Sequence, residues 1–159
     1  MRMRARDVVV VGCLLAAALA GAQNAPAKPA PPDISGRYSF LQDGEDIQVN
    51  MTGSKVDGYV TRYGTSASDQ GTMLQHTFAT ATLAGDKLAF TTKPVHAVWY
   101  EFTGRVERGP AKSKAEDGYY QLVGTLVEHT QKDGKDAGSR SRAVTFKLFA
   151  EEPDDAPKK

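Results

Sequence analysis

His96-Ala97-Val98-Trp99-Tyr100-Glu101-Phe102-Thr103-Gly104-Arg105-Val106-Glu107-Arg108 is the stretch that decides the fold. Val98, Tyr100, Phe102, Gly104 and Val106 fall on one side of a two-residue repeat, and Trp99, Glu101, Thr103, Arg105 and Glu107 on the other. Such alternation belongs to a strand with one buried face, because a helix would bring its apolar positions round every three to four residues. The face carrying the charges is assigned to solvent.

The same period runs outward in both directions. Ile34 to Leu41, Glu45 to Met51 and Val56 to Tyr63 read as three strands, separated by Asp43-Gly44 and Thr52-Gly53-Ser54. A polar loop from Gly64 to Gly71 follows, then strands over Thr72 to Ala81 and Lys87 to Thr92, joined through Gly85, which tolerates the positive φ of a tight hairpin. Pro94 cannot donate to a ladder and bounds the next strand, His96 to Arg108. After a basic loop, Gly118 to His129 and Ser141 to Phe149 complete eight strands, with Gln131 to Ser139 read as a second polar loop. No helical repeat interrupts them. The expected class is all-β: an antiparallel eight-stranded meander closing into an up-and-down barrel, with a two-sheet sandwich as the alternative.

The ends of the chain differ in kind. Arg2, Arg4 and Arg6 precede the apolar run Val8 to Ala20, which closes on Ala20-Gly21-Ala22 before Gln23. This is the layout of a secretory signal peptide over residues 1–22, too short for the roughly 20 apolar residues of a membrane span. Val10-Val11-Gly12-Cys13 also resembles a bacterial lipobox, although most of the apolar stretch follows Cys13 where a lipobox has it before; lipidation at Cys13 is the alternative processing. Export to the periplasm or beyond is the expected destination. Residues 23–33 are an Ala/Pro-rich tether, 34–150 one β-barrel domain and 151–159 a disordered charged tail. With 20 Lys and Arg against 19 Asp and Glu, no basic surplus points to nucleic acid, and losing residues 1–22 only moves the formal charge from +1 to −1.

Gly36-Arg37-Tyr38, opening the first of eight short strands, and Phe102-Thr103-Gly104-Arg105 in mid-chain resemble the avidin family of calycin-like barrels. That family opens on Gly-x-Trp and carries a Trp-x-Gly-Gln strand, so both tryptophans are replaced here, by Tyr38 and Phe102. The resemblance implies an up-and-down barrel. Biotin binding in that family depends on several pocket tryptophans and a late acidic residue, whereas Trp99 is the single tryptophan here and Ser141 to Phe149 has no Asp or Glu. The architecture carries over and biotin does not.

Tyr38, His76, Phe78, His96, Tyr100 and Phe102 share apolar strand faces, and together they are the expected ligand-binding set: rings with a few oriented polar groups. A filled core is the competing account of the same residues. His76, His96 and His129 stand on different strands without metal-ligand spacing, so neither a metal nor a cofactor is expected. Glu101 and Glu128 are the acidic residues most embedded in apolar strands, yet an acid/base pair competes with a cross-strand ion pair, and no Gly-x-Ser-x-Gly elbow, P-loop or Gly-x-Gly-x-x-Gly occurs. No catalytic residue is assigned. Tyr59, Tyr63 and Trp99 lie opposite the apolar faces and form the expected interface set. These readings converge on an exported, non-catalytic β-barrel for a small, partly apolar ligand, or else a structural or protein-interaction domain of the bacterial cell envelope.

Overall fold

A computed structural model describes residues 31–151; the signal segment, all but the last three residues of the tether and the tail beyond 151 lie outside the described residues. Eight strands follow one another: β1 (Gly36–Ser39), β2 (Asp46–Thr52), β3 (Lys55–Tyr63), β4 (Met73–Ala84), β5 (Lys87–Thr92), β6 (Val98–Arg108), β7 (Tyr120–Lys132) and β8 (Lys135–Lys147). They form a single antiparallel sheet in sequence order, the meander that the two-residue period implies. No sandwich is formed.

The edges of the sheet meet at one end. Tyr38 bridges Leu148, the Phe149 amide donates to the Arg37 carbonyl at 2.8 Å, and the Lys147 amide donates to Ser39 Oγ at 2.9 Å. Because β1 is four residues long and β8 thirteen, this seam covers only the last residues of β8. The sheet is therefore a half-barrel, sealed at the Tyr38 end and open at the other.

Two departures from the sequence reading arise from turn chemistry. Residues 131–139 are not a loop: Lys132 pairs with Lys135 across Asp133 (φ 53°) and Gly134 (φ 74°), a two-residue turn with both central φ values positive, and the ladder runs on through polar residues. An exposed hairpin needs no apolar alternation, so its strands left no hydrophobic signal. His96, in turn, is not in β6. Val95 and Val98 exchange backbone hydrogen bonds of 2.9 and 3.0 Å around His96 (φ 46°) and Ala97 (φ 64°), a tight turn made without glycine.

Inside, alternate residues interlock. Tyr38, Ile47, Val49, Val60, Tyr100, Phe102, Leu122, Leu126 and Leu148 are wholly shielded from solvent. A relay of rings crosses the middle: Phe78 stacks on Phe90 at 4.4 Å, Phe90 on Phe102 at 5.3 Å, Phe102 meets Phe146 at 5.8 Å, and Phe40 links Phe146 to Tyr100 at 5.3 Å each. Each ring contributes roughly 1.5–3 kcal/mol by burial, and each favourable pair about 0.5–1.5 kcal/mol more. Phe102→Ala should therefore cost about 3–5 kcal/mol in denaturant unfolding. A loss below 1 kcal/mol would mean that the ring lines free space instead of core.

Candidate functional site

At the open end the interior changes from rings to charges. Arg62 occupies the position after Val56, Gly58 and Val60 on the inward face of β3, so strand parity alone turns its guanidinium into the barrel. Glu128 continues the inward face of β7 beyond Leu126, opposite Tyr100 of β6. Glu45 closes the turn before β2, where the Tyr63 amide and Gln42 Nε2 both donate to its Oε1, at 3.0 and 3.1 Å.

These groups converge on Arg62. Its Nη1 donates to Glu128 Oε2 at 3.0 Å and to the Tyr100 hydroxyl, and its Nε lies 3.9 Å from Glu45 Oε1. Tyr100 in turn donates to Glu128 at 3.4 Å. Burial pushes the Tyr100 hydroxyl well above its usual pKa, so it stays a donor. Burial works against the Arg62 charge, but the Tyr100 oxygen, Glu128 and Glu45 outweigh it and raise its pKa. Glu45 is only 3% exposed, and its Oε2 has no hydrogen-bond partner.

Above this floor is a hollow of about 380 Å³, lined on one side by Gln42 and Glu45 and on the other by Glu128, Arg140 and Arg142. Register explains the arginines: Arg140 pairs with Glu128 and Arg142 with Leu126, both inward-facing, so β8 turns Arg140 and Arg142 inward too. The hollow occupies the part of the wall that the short β1 leaves uncovered. Beside it, sharing Arg62 and Thr65, is a slot of about 40 Å³ between Leu74, Val95, Val98 and His76. His76 is 1% exposed, packs edge-on to the Tyr100 ring at 5.2 Å, and neither ring nitrogen has a hydrogen-bond partner. Burial, aided by the Arg62 charge, holds its pKa below the usual value. At the rim, His96 Nδ1 lies 2.6 Å from Asp69 Oδ2. Hydrogen bonds from Ser66, then from His96, keep the Asp69 carboxyl below its usual range.

The six residues of the sequence-derived ligand set thus separate. His76 and Tyr100 reach the open end from within. His96 borders the slot from the Val95–Val98 turn, its side chain 56% exposed, and is not on the apolar face with Tyr100 and Phe102. Tyr38 lies at the sealed end, where its hydroxyl donates to the Ile34 carbonyl at 2.8 Å, while Phe78 and Phe102 belong to the ring relay. Tyr59 and Tyr63 on β3 are separated by β4 and β5 from Trp99 on β6, so the three do not gather; Trp99 stacks instead on His129 at 4.7 Å. Glu101 and Glu128 point to opposite faces, Glu101 lying 3.6 Å from His129 Nε2 outside and Glu128 on Arg62 inside. Glu45, Arg62, Arg140 and Arg142 escaped the sequence reading. For Arg62 the signal was present, as a charge in the inward register of a strand.

A solved structure described as intact afifavidin in its apo form superposes with a TM-score of 0.55 at 18% sequence identity, over 80% of this chain and 90% of that one. The fold is avidin-like. No protein-family model and no curated protein matches the sequence. Among the described residues no three His, Cys, Asp or Glu side chains are grouped to hold a metal ion, and no helix is long and apolar enough to cross a membrane.

Two outcomes follow from this geometry. Arg62→Met leaves two carboxylates at the open end without their cation and should cost about 3–5 kcal/mol in unfolding experiments; a change under 1 kcal/mol would show the pairing to be dispensable. For His76, a folded-state pKa below the usual 6.5 means that the unfolded chain takes up the proton first. Stability should therefore fall as pH drops from about 6.5 towards the folded-state value, and His76→Phe should flatten that slope. An identical slope in the variant would place the acid sensitivity elsewhere.

Proposed function

We propose that this protein is an exported, non-catalytic binding barrel that takes a small, partly apolar ligand at its open end. The observation that carries the reading is the partly buried Glu45–Arg62–Glu128 cluster facing a hollow of about 380 Å³. Burying such charges costs several kcal/mol each before pairing, and apolar residues would close the barrel end at less cost. Charged groups held under an opening, with the Glu45 Oε2 lacking a partner, instead suit recognition of something polar.

The slot supplies the apolar component, since Leu74, Val95 and Val98 border it beside His76. The avidin-like fold supports a site at a barrel opening. Export rests on the Arg2, Arg4 and Arg6 n-region, the apolar run to Ala20 and the Ala20-Gly21-Ala22 site, with periplasm or exterior as the destination. A binding role, as opposed to a catalytic one, is favoured because Glu45 and Glu128 both pair with Arg62, and Ser66 Oγ, near the His96–Asp69 pair, is hydrogen-bonded to Ser68 at 2.9 Å.

Native mass spectrometry of protein purified from an exporting bacterial host tests the reading. A defined non-covalent adduct is expected, retained by Thr103→Trp on the outer face of β6 and lost in Thr65→Trp, which fills the hollow. At a hundredfold excess of ligand over Kd the same ligand should add about 2.7 kcal/mol of stability. An adduct unaffected by Thr65→Trp would move the site away from the open end. Bare protein that no metabolite extract stabilises would overturn the proposal.

A further inference from the structure

The charges around the hollow do not balance. Arg62 is paired with Glu45 and Glu128, while among the described residues neither Arg140 nor Arg142 forms an ion pair. Three guanidinium groups against two carboxylates leave one positive charge at the recess, shared by the half-buried Arg142 and the exposed Arg140, and that surplus attracts an anion. The Nε of Arg142 is shielded from solvent without a hydrogen-bond partner, so one donor on the cationic side is unsatisfied.

Across the hollow the opposite demand exists. Glu45 Oε2 is an acceptor on a residue 97% withdrawn from solvent, and it too lacks a partner. Its sister oxygen already receives the Tyr63 amide and Gln42. An occupant that satisfies both sides carries a single negative charge and, apart from it, an O–H or N–H donor. A planar carboxylate matches the guanidinium fork and the single surplus charge, whereas a dianionic phosphate would overcompensate it.

We infer that the open end takes a small monocarboxylate, its acid group on Arg140 and Arg142 and a neutral O–H or N–H donor on Glu45. This rests on the binding role proposed above and specifies the chemistry that the same hollow selects. The apolar slot beyond Arg62 would then accommodate no more than a small non-polar substituent, given its volume of about 40 Å³.

The test uses the wild-type exported protein, 15N-labelled, with three probes at millimolar concentration: N-acetylglycine, which has acid and donor; acetate, which has the acid alone; and N-acetylglycinamide, which has donors without charge. Amide shifts should concentrate on Glu45, Arg62, Glu128, Arg140 and Arg142, with N-acetylglycine binding at least tenfold tighter than its amide and severalfold tighter than acetate. Arg140→Gln with Arg142→Gln should erase the preference of acid over amide while leaving the spectrum of the ring relay in place. Equal binding of acid and amide at the hollow would overturn the carboxylate assignment and leave the binding role standing. Acetate as tight as N-acetylglycine would overturn the donor contact to Glu45. No shift at the hollow with any probe would overturn the inference, and if the purified protein also carries no adduct, the binding role falls with it.

Discussion

Arg62 is the side chain on which the open end of the barrel depends. It stands on β3 and reaches Tyr100 of β6, Glu128 of β7 and the turn that carries Glu45, so one guanidinium fastens β3 to two strands with which it shares no ladder. Its fork suits the task because it can donate in several directions at once and keeps its charge when buried. The pairing is costly to assemble and more costly to break, since removing Arg62 leaves two carboxylates without their cation in a poorly solvated place. At the other end the rings need no such device: Tyr38 satisfies its hydroxyl on the Ile34 carbonyl and the rest is hydrocarbon.

The barrel thus has two unlike ends on a common wall. The ring relay from Phe78 to Tyr100 fills the interior between them, which excludes a deep ligand channel and confines any occupant to the shallow region above Tyr100 and Arg62. The short β1 decides where that region opens. Had β1 continued along β8, Arg140 and Arg142 would face a neighbouring strand across the seam instead of the hollow.

Much of this was legible in the chain. Alternation in segments such as Val98 to Val106 follows from the pleat and needs no tertiary information, and glycine turns separated the hairpins, so strand number, order and inward residues could be read directly. Three things were not. The Val95–Val98 turn uses His96 and Ala97 at positive φ, which their residue types disfavour and only the surrounding fold enforces. The hairpin tip around Asp133 is polar on both faces, so it resembled a loop, and Arg140 fell outside the strand read from Ser141, while Arg142 lay within it in the register of Val144 and Phe146. The charged cluster itself draws partners from three separate strands and a turn. Strand register alone turns Arg62, Tyr100 and Glu128 inward, but their meeting with Glu45 follows only once the sheet has curled.

The seam between β1 and β8 joins residues far apart along the chain, Ser39 and Lys147 being 108 positions distant, whereas the turns joining β2 to β3, β4 to β5 and β7 to β8 are only two residues long. Hairpin closure is local and repays its entropy at once; the seam must restrain nearly the whole domain for a few hydrogen bonds and the contacts of Leu148. It is accordingly the costliest junction to make and the cheapest to lose. The ring relay would hold the sheet curled while that edge breathes, so the barrel can loosen lengthwise along one line without giving up its core.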